Sequence, residues 1–212
     1  MNTIPFRGTD FLHWGVAGRA VPGQDVSGDL HLVEPAAAGA LVAVVDGLGH
    51  GDKATAAART AVTILREDSS RPVVELIQRC HEALVKTRGA VMTLASFNAR
   101  EQMVSWLSVG NVAGLLLRAD AKATPRSEST ILRGGVVGYQ LPPLHPGLHP
   151  VCPGDLLILV SDGIRDGFEQ GIIATDAPQQ IADRIMGRFF KGTDDALVLV
   201  VRYLGSGPDR II

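Results

Sequence analysis

The chain has 212 residues, 46% of them hydrophobic and 20% charged, a composition that predicts a globular protein with a substantial core. Its formal net charge of -2 gives no broad electrostatic attraction to nucleic acid or to an anionic membrane. No apolar run reaches membrane-spanning length, Met1 to Asp10 holds no signal-peptide core, and Cys80 and Cys152 lack CxxC spacing, so a cytoplasmic protein with reduced thiols is expected.

Phe11 to Ala20 reads as a first strand, closed by the Val21-Pro22-Gly23 turn. Gln24 to Asp29 leads into a second strand, Leu30 to Val33, and a loop over Glu34 to Ala38 returns the chain to a third, Ala40 to Val45. That strand is continuously apolar and ends in Asp46-Gly47-Leu48-Gly49-His50-Gly51. The glycines let backbone approach a ligand and take positive φ. The alanine-rich segment Asp52 to Arg66 has helical spacing, as does Val73 to Arg88, which opens after Pro72 and is expected to stop at Gly89.

Val91 to Phe97, Met103 to Val109 and Val112 to Arg118 read as three strands. Their short connectors, Asn98 to Glu101 and Gly110-Asn111, predict antiparallel hairpins. Ala119 to Glu128 is polar loop, Thr130 to Arg133 a short strand, and Gly138 to Pro150 too rich in proline for a central strand. Leu156 to Val160 reads as a buried strand ending in Ser161-Asp162-Gly163. Capping-box spacing over Asp176 to Gln179 announces a last helix, and Gly192-Thr193-Asp194-Asp195 feeds a final strand, Leu197 to Tyr203. The tail from Gly205 to Ile212 is expected to fray. Hairpins with a helix pair inserted early and a helix late predict an α+β fold of two packed antiparallel sheets flanked by helices.

Four turns present acidic groups: Asp25 with Asp29, Asp46, Asp162, and Asp194 with Asp195. Carboxylates gathered at strand ends without basic partners repel one another unless a cation lies between them. Aspartates without His or Cys favour Mg²⁺ or Mn²⁺ over zinc, and two such ions about 4 Å apart can activate a water against phosphorus. Asp is also an ordinary turn former, so no single position carries the argument. His145 and His149 stand in a proline-rich loop and read as an echo of a metal clip rather than as ligands.

Taken in order, Gln24 to Asp29, Asp46 to Gly51, Thr93-Leu94-Ala95, Val109-Gly110-Asn111, Ser161 to Ile164 and Asp194 to Leu197 resemble the motifs of the protein phosphatase 2C-type (PPM) family, in its SpoIIE-like branch. The resemblance runs from about Phe11 to Tyr203 and implies a four-layer αββα sandwich, one phosphatase domain over residues 1–212, with a two-metal site at one end of the sheets. It implies that Asp46 bridges two Mn²⁺ or Mg²⁺ ions, that the Gly47 carbonyl binds one, and that Asp162 and Asp194 bind the other. Asp29 would support the site through metal-bound waters, and Asp195 ranks behind Asp194. Asn111 stands where many members have Asp, which speaks against a third ion. His50 is a candidate acid or substrate-positioning group, although the family's proposed acid directly follows the Asp-Gly pair and His50 comes two positions later. No phosphate-binding arginine aligns; Arg19 is nearest and lies too far upstream.

The resemblance implies a metal-dependent phosphoserine/phosphothreonine phosphatase in which a metal-bridging hydroxide attacks phosphorus directly. Within the branch, the compact size and the Asp-Gly-Leu-Gly-His-Gly form point to the stressosome phosphatases, whose partners are phosphorylated scaffold proteins with STAS domains. The alternatives are a phosphatase of an anti-anti-sigma factor, a pseudophosphatase that binds phosphoprotein without turnover, and a nucleotide-binding regulator. Intact Asp46, Asp162 and Asp194 argue against the pseudophosphatase, and the missing P-loop Lys-Ser/Thr argues against the regulator.

Overall fold

The computed structural model describes residues 10–205. In it β1 (Leu12–Arg19), β2 (Asp29–Ala36) and β3 (Gly39–Gly47) lead into α1 (Asp52–Glu67) and α2 (Val73–Leu84). Next come β4 (Ala90–Asn98), β5 (Met103–Val109), β6 (Ala113–Leu117), β7 (Ser127–Ser129), β8 (Gly147–Pro150) and β9 (Leu156–Val160). A 3₁₀ turn (Phe168–Gly171), α3 (Pro178–Phe189) and β10 (Ala196–Tyr203) complete the order. The first sheet runs β2-β3-β4-β5-β8 and the second β1-β10-β9-β6-β7, all pairs antiparallel.

Strand alternation sorts the apolar residues into layers. Val42 and Val44 of β3 enter the inter-sheet core with Phe97, Trp106, Leu157, Leu199 and Tyr203. Leu41, Ala43 and Val45 of the same strand face α1 and α2, meeting Ala58, Ala61, Leu65, Leu76 and Ile77. On the far side Ile158, Val198 and Val200 pack on Ile181, Ile185 and Met186 of α3. The result is the expected αββα sandwich, and β3 is continuously apolar because both its faces are covered. Small residues set the spacing of the helix layers. A Cβ on Gly47 would fall 2.1 Å from the Ala54 carbonyl, and one on Gly15 only 2.3 Å from the Gln179 nitrogen.

Several expectations are corrected. The expected hairpin at Gly110-Asn111 is a crossover: β5 belongs to the first sheet and β6 to the second. Gly110 takes φ +92° and donates its amide to Arg133, while the Val112 carbonyl accepts from the Thr93 and Ser108 hydroxyls, at 2.6 and 3.2 Å, instead of from a ladder partner. The strand expected over Thr130 to Arg133 lies over Ser127–Ser129; Ile131 and Leu132 leave the sheet and are exposed. The second helix ends at Leu84 rather than Arg88, because the Thr87 amide and hydroxyl both donate to the Leu84 carbonyl at 2.8 Å. The second strand extends through Pro35 to Ala36, which an edge strand tolerates.

The cap of α3 stands one residue later than its spacing suggests. Ala177 is the N-cap, and its amide donates to the Gln180 side chain at 3.2 Å. Asp176 instead pairs with Arg184, and Gln179 bonds both the amide and the carbonyl of Val16 in β1. Proline confines β8 to a sheet edge as expected. The tail expected to fray lies outside the described residues apart from Gly205.

Candidate active site

Register builds the site. Asp29 and Asp46 stand directly opposite one another in the β2–β3 ladder, at the end of the first sheet. Antiparallel pairing of β9 with β10 brings the chain just beyond β9, with Ser161 and Asp162, beside the chain just before β10, with Asp194 and Asp195. The backbone there is crowded: a Cβ on Gly163 would fall 2.0 Å from the Asp195 carbonyl. The crossover at Gly110-Asn111 delivers a fourth segment, and Asn111 Nδ2 donates to Asp162 Oδ2 at 2.8 Å.

The five carboxylates nearest the two sheet ends have different surroundings. Asp29 is only 5% exposed and accepts from the Ser161 hydroxyl at 2.6 Å; Ser161 in turn accepts from the Leu197 amide at 2.8 Å, so one hydroxyl ties the two sheets together. Asp195 is buried and accepts from the amides of Val21 at 2.7 Å and Gly28 at 2.6 Å. Asp162 accepts from Asn111, and its carbonyl accepts from Lys191. Asp46 is half-buried and, among the described residues, has no hydrogen-bond donor and no cationic partner. Asp194 is exposed and accepts only from the neighbouring Asp195 amide.

Electrostatics follow from that. Burial, reinforced by Asp29, Asp162, Asp194 and Asp195, pushes the Asp46 carboxyl up to about 9. Burial also raises Asp29 to about 7, opposed by the Ser161 hydrogen bond and assisted by Asp195, Asp162 and Asp194. Asp162 is raised by burial and by Asp194, against the lowering influence of Lys191 and Asn111. Five carboxylates feel one another's charge, and the one on β3 has no counter-charge among the described residues.

The donor set suits hard divalent cations, with Asp46, Asp162, Asp194 and the Gly47 carbonyl available to hold them. Among the described residues no three His, Cys, Asp or Glu side chains are gathered closely enough to hold a metal ion by themselves. An open arc of carboxylates agrees better with ions that keep several waters than with zinc. His50 is exposed in the turn and makes no hydrogen bond or ion pair among the described residues, so nothing aims it at the carboxylates. Asp25 is exposed as well. Arg19 lies over the Phe190 ring, 5.6 Å from its centre. His149 meets Glu128 and the Trp106 ring at the opposite edge, and neither it nor His145 belongs to the acidic arc.

Sequence reasoning missed three residues. Ser161 lies inside the Ser161 to Ile164 motif, but nothing in the sequence shows that its hydroxyl reaches across to Asp29. Lys191, whose ammonium reaches the Asp162 carbonyl, and Arg88, whose guanidinium lies against Gly49, carry no motif signal.

Comparisons with known proteins converge on one family. The model of the family described as Stage II sporulation protein E (SpoIIE) matches residues 37–204. Phosphoserine phosphatase RsbX of Bacillus subtilis (strain 168) is 29% identical over 94 residues, 44% of this chain. The matches span 47% of RsbX and 37% of the stage II sporulation protein E of Priestia megaterium, so less than half of either relative is covered. A structure from work on the bacterial stressosome, a modular system adapted to control secondary messenger signaling, superposes with a TM-score of 0.82 at 29% identity, covering 90% of this chain and 99% of that one. RsbX in complex with magnesium superposes with a TM-score of 0.81 at 19% identity, over 92% and 97% of the two chains, which supports the fold. With the family model spanning the segments that carry Asp46, Asp162 and Asp194, the chain belongs to the SpoIIE family, a branch of the PP2C-type (PPM) phosphatases.

Proposed function

We propose that this protein is a Mn²⁺- or Mg²⁺-dependent phosphatase that hydrolyses phosphoserine and phosphothreonine on proteins. The observation that carries the reading is Asp46: a half-buried carboxyl without a counter-charge, raised to about 9, facing Asp29 and flanked by Asp162 and Asp194. A carboxylate so placed binds a divalent cation more readily than it stays ionised alone.

Asp46, Asp162, Asp194 and the Gly47 carbonyl would hold two divalent ions. When bound, these would lower the pKa of a water and neutralise charge on the phosphoryl group. Asp29 is too enclosed by Ser161 to be a direct ligand and would fix the orientation of water around the ions. Asp195 shapes the site from behind by holding the Val21 and Gly28 amides. Asn111 braces Asp162 and, being uncharged, does not add to the attraction for a third ion. Ser161, the serine hydroxyl bonded within the acidic group, is 1% exposed and already committed to Asp29 and the Leu197 amide, so direct attack by water fits better than a phosphoenzyme.

For partners we infer phosphorylated STAS-domain scaffold proteins of a stressosome, acting in the cytoplasm, supported by the likeness to RsbX and to the stressosome-associated structure. Among the described residues no helix is long and apolar enough to cross a membrane. The test has two stages. Mn²⁺-dependent hydrolysis of an aryl phosphate establishes turnover, and its failure at every Mn²⁺ concentration leaves a phosphoprotein-binding pseudophosphatase. Mass spectrometry of phosphorylated scaffold and of an anti-anti-sigma phosphoprotein, each incubated with enzyme and Mn²⁺, then identifies the substrate. Turnover of the second alone moves the assignment to a sigma-factor pathway.

A further inference from the structure

The early end of α2 has a consequence at the site. Beyond Thr87 the chain turns, and the Arg88 guanidinium comes to rest against Gly49, three residues after Asp46. A Cβ built on Gly49 would lie 2.5 Å from Arg88 Nη1, and Gly49 itself takes φ +88°. Arg88 is exposed and enters no hydrogen bond or ion pair among the described residues. Across the site, Lys191 donates its ammonium to the Asp162 carbonyl and, among the described residues, forms no ion pair. One uncommitted cation is therefore set on each carboxylate-bearing turn, one turn in each sheet.

Five arginines away from the site pair with carboxylates, although Arg165 and Arg202, like Lys191, rest on main-chain carbonyls. Arg66, Arg71, Arg79, Arg118 and Arg184 each pair with Asp or Glu. Beside the densest group of carboxylates, Arg88 and Lys191 would be expected to fold onto an aspartate. Instead both lie against main chain, Lys191 near enough to Asp162 to lower its carboxyl, and neither is locked in an ion pair, so each can turn to an anion from solution. A phosphoryl monoester dianion has three terminal oxygens and can offer one to each cation, and Arg in particular matches such oxygens in geometry. A diester carries one charge fewer and has one terminal oxygen fewer to offer.

We propose that Arg88 and Lys191 are specificity-determining residues that clamp the phosphoryl group of a phosphomonoester from opposite lips of the site. The clamp rests on the phosphatase reading for its substrate, but not for its test. Inorganic phosphate is titrated calorimetrically into the Mn²⁺-loaded full chain, and Mn²⁺ affinity is measured separately without phosphate. Arg88→Ala and Lys191→Ala should each weaken phosphate binding about tenfold, and the double variant about a hundredfold, because the two groups stand on separate turns. Each single variant should bind Mn²⁺ as tightly as the parent or more tightly, since a repelling cation has gone. A merely structural role would weaken both affinities together. Arg100→Ala, in the exposed turn between β4 and β5, should change neither.

Phosphate binding within twofold of the parent in both single variants overturns the clamp, and so does a parent that binds no phosphate. A parent that binds phosphate through both cations but hydrolyses no aryl phosphate keeps the clamp and removes the phosphatase reading. Aryl phosphate hydrolysis together with phosphate binding indifferent to both substitutions does the reverse.

Discussion

Two groups of acidic side chains lie in different parts of this molecule, and they are built in opposite ways. In one, Arg118 is sandwiched between Asp155 and Glu128, and Glu128 also meets His149. Asp155, only 2% exposed, accepts in addition from the Ala119 amide at 2.8 Å and the Cys152 amide at 3.0 Å. Every charge there has a partner within the chain. In the other, Asp46 has none among the described residues, and its neighbours are more carboxylates. The first group ties β6 and β7 of one sheet to β8 of the other. The second stores repulsion that only something from outside the chain can relieve. Fully paired acidic groups maintain a fold, and unpaired ones mark where a ligand is required.

The largest effects should come from emptying the unpaired group. Asp46→Asn and Asp162→Asn should each lower Mn²⁺-dependent hydrolysis of an aryl phosphate by at least about a thousandfold, roughly 4 kcal/mol of barrier, while circular dichroism stays that of the parent. Full activity of either variant at saturating Mn²⁺ would remove the two-metal reading. The paired group should respond in the opposite sense. Arg118→Ala leaves Asp155 buried with two amides and no counter-charge, which should cost about 3 kcal/mol of stability. At this chain length that is about 6–12 °C in Tm, with activity per folded molecule unchanged. A variant that kept its Tm but lost turnover would place this group in the mechanism instead.

The contrast was only partly legible in the sequence. Asp46, Asp162 and Asp194 are legible as candidates because each ends or precedes an apolar strand beside or close to a glycine, a signal local to a few residues. The layers were legible for a related reason: a strand apolar at every position, such as β3, must be covered on both faces. The missing parts depend on long-range geometry. Gly110-Asn111 has the length of a hairpin turn, and only the Thr93 and Ser108 hydroxyls waiting for the Val112 carbonyl reveal a change of sheet. Ser161 reaches a carboxylate 132 positions away. Nor does any local pattern distinguish Arg88, free at the mouth, from Arg118, locked between two acids.

Adjacent aspartates sharpen the comparison within a single dipeptide. Asp194 is exposed and committed only to the next amide, whereas Asp195 is buried and already accepts from two. Asp194→Asn should reduce activity about ten- to a hundredfold, raise the Mn²⁺ requirement and leave Tm unchanged. Asp195→Asn should chiefly cost stability, about 1–2 kcal/mol, because an amide presents one acceptor oxygen where the carboxylate presented two. Thermal melts with and without Mn²⁺, alongside the metal titration of activity, separate the two. The opposite pattern would mean that Asp195 is the metal ligand and the assignment is out of register by one residue.

The smallest effect is the most direct measure of stored repulsion. In the metal-free protein Asp46 is raised from 3.8 to about 9, so between those values the unfolded chain has released a proton that the folded chain keeps. Folding stability from this group is therefore full below pH 3.8, declines as pH rises and is lost by about pH 9. Asp29, raised from 3.8 to about 7, acts in the same direction over a narrower window. Asp46→Asn removes the larger contribution while keeping the side chain's size. The metal-free variant should match the parent near pH 4 and exceed it progressively toward pH 9. A gain of about 1 kcal/mol, or about 2–4 °C in Tm, would suffice to detect it. Mn²⁺ should reverse the order, since the parent exchanges its protons for metal and the variant does not. Superimposable Tm–pH curves for the two metal-free proteins would show that the carboxylates at the sheet ends do not strain one another, and the distinction between the two acidic groups would fall with that result.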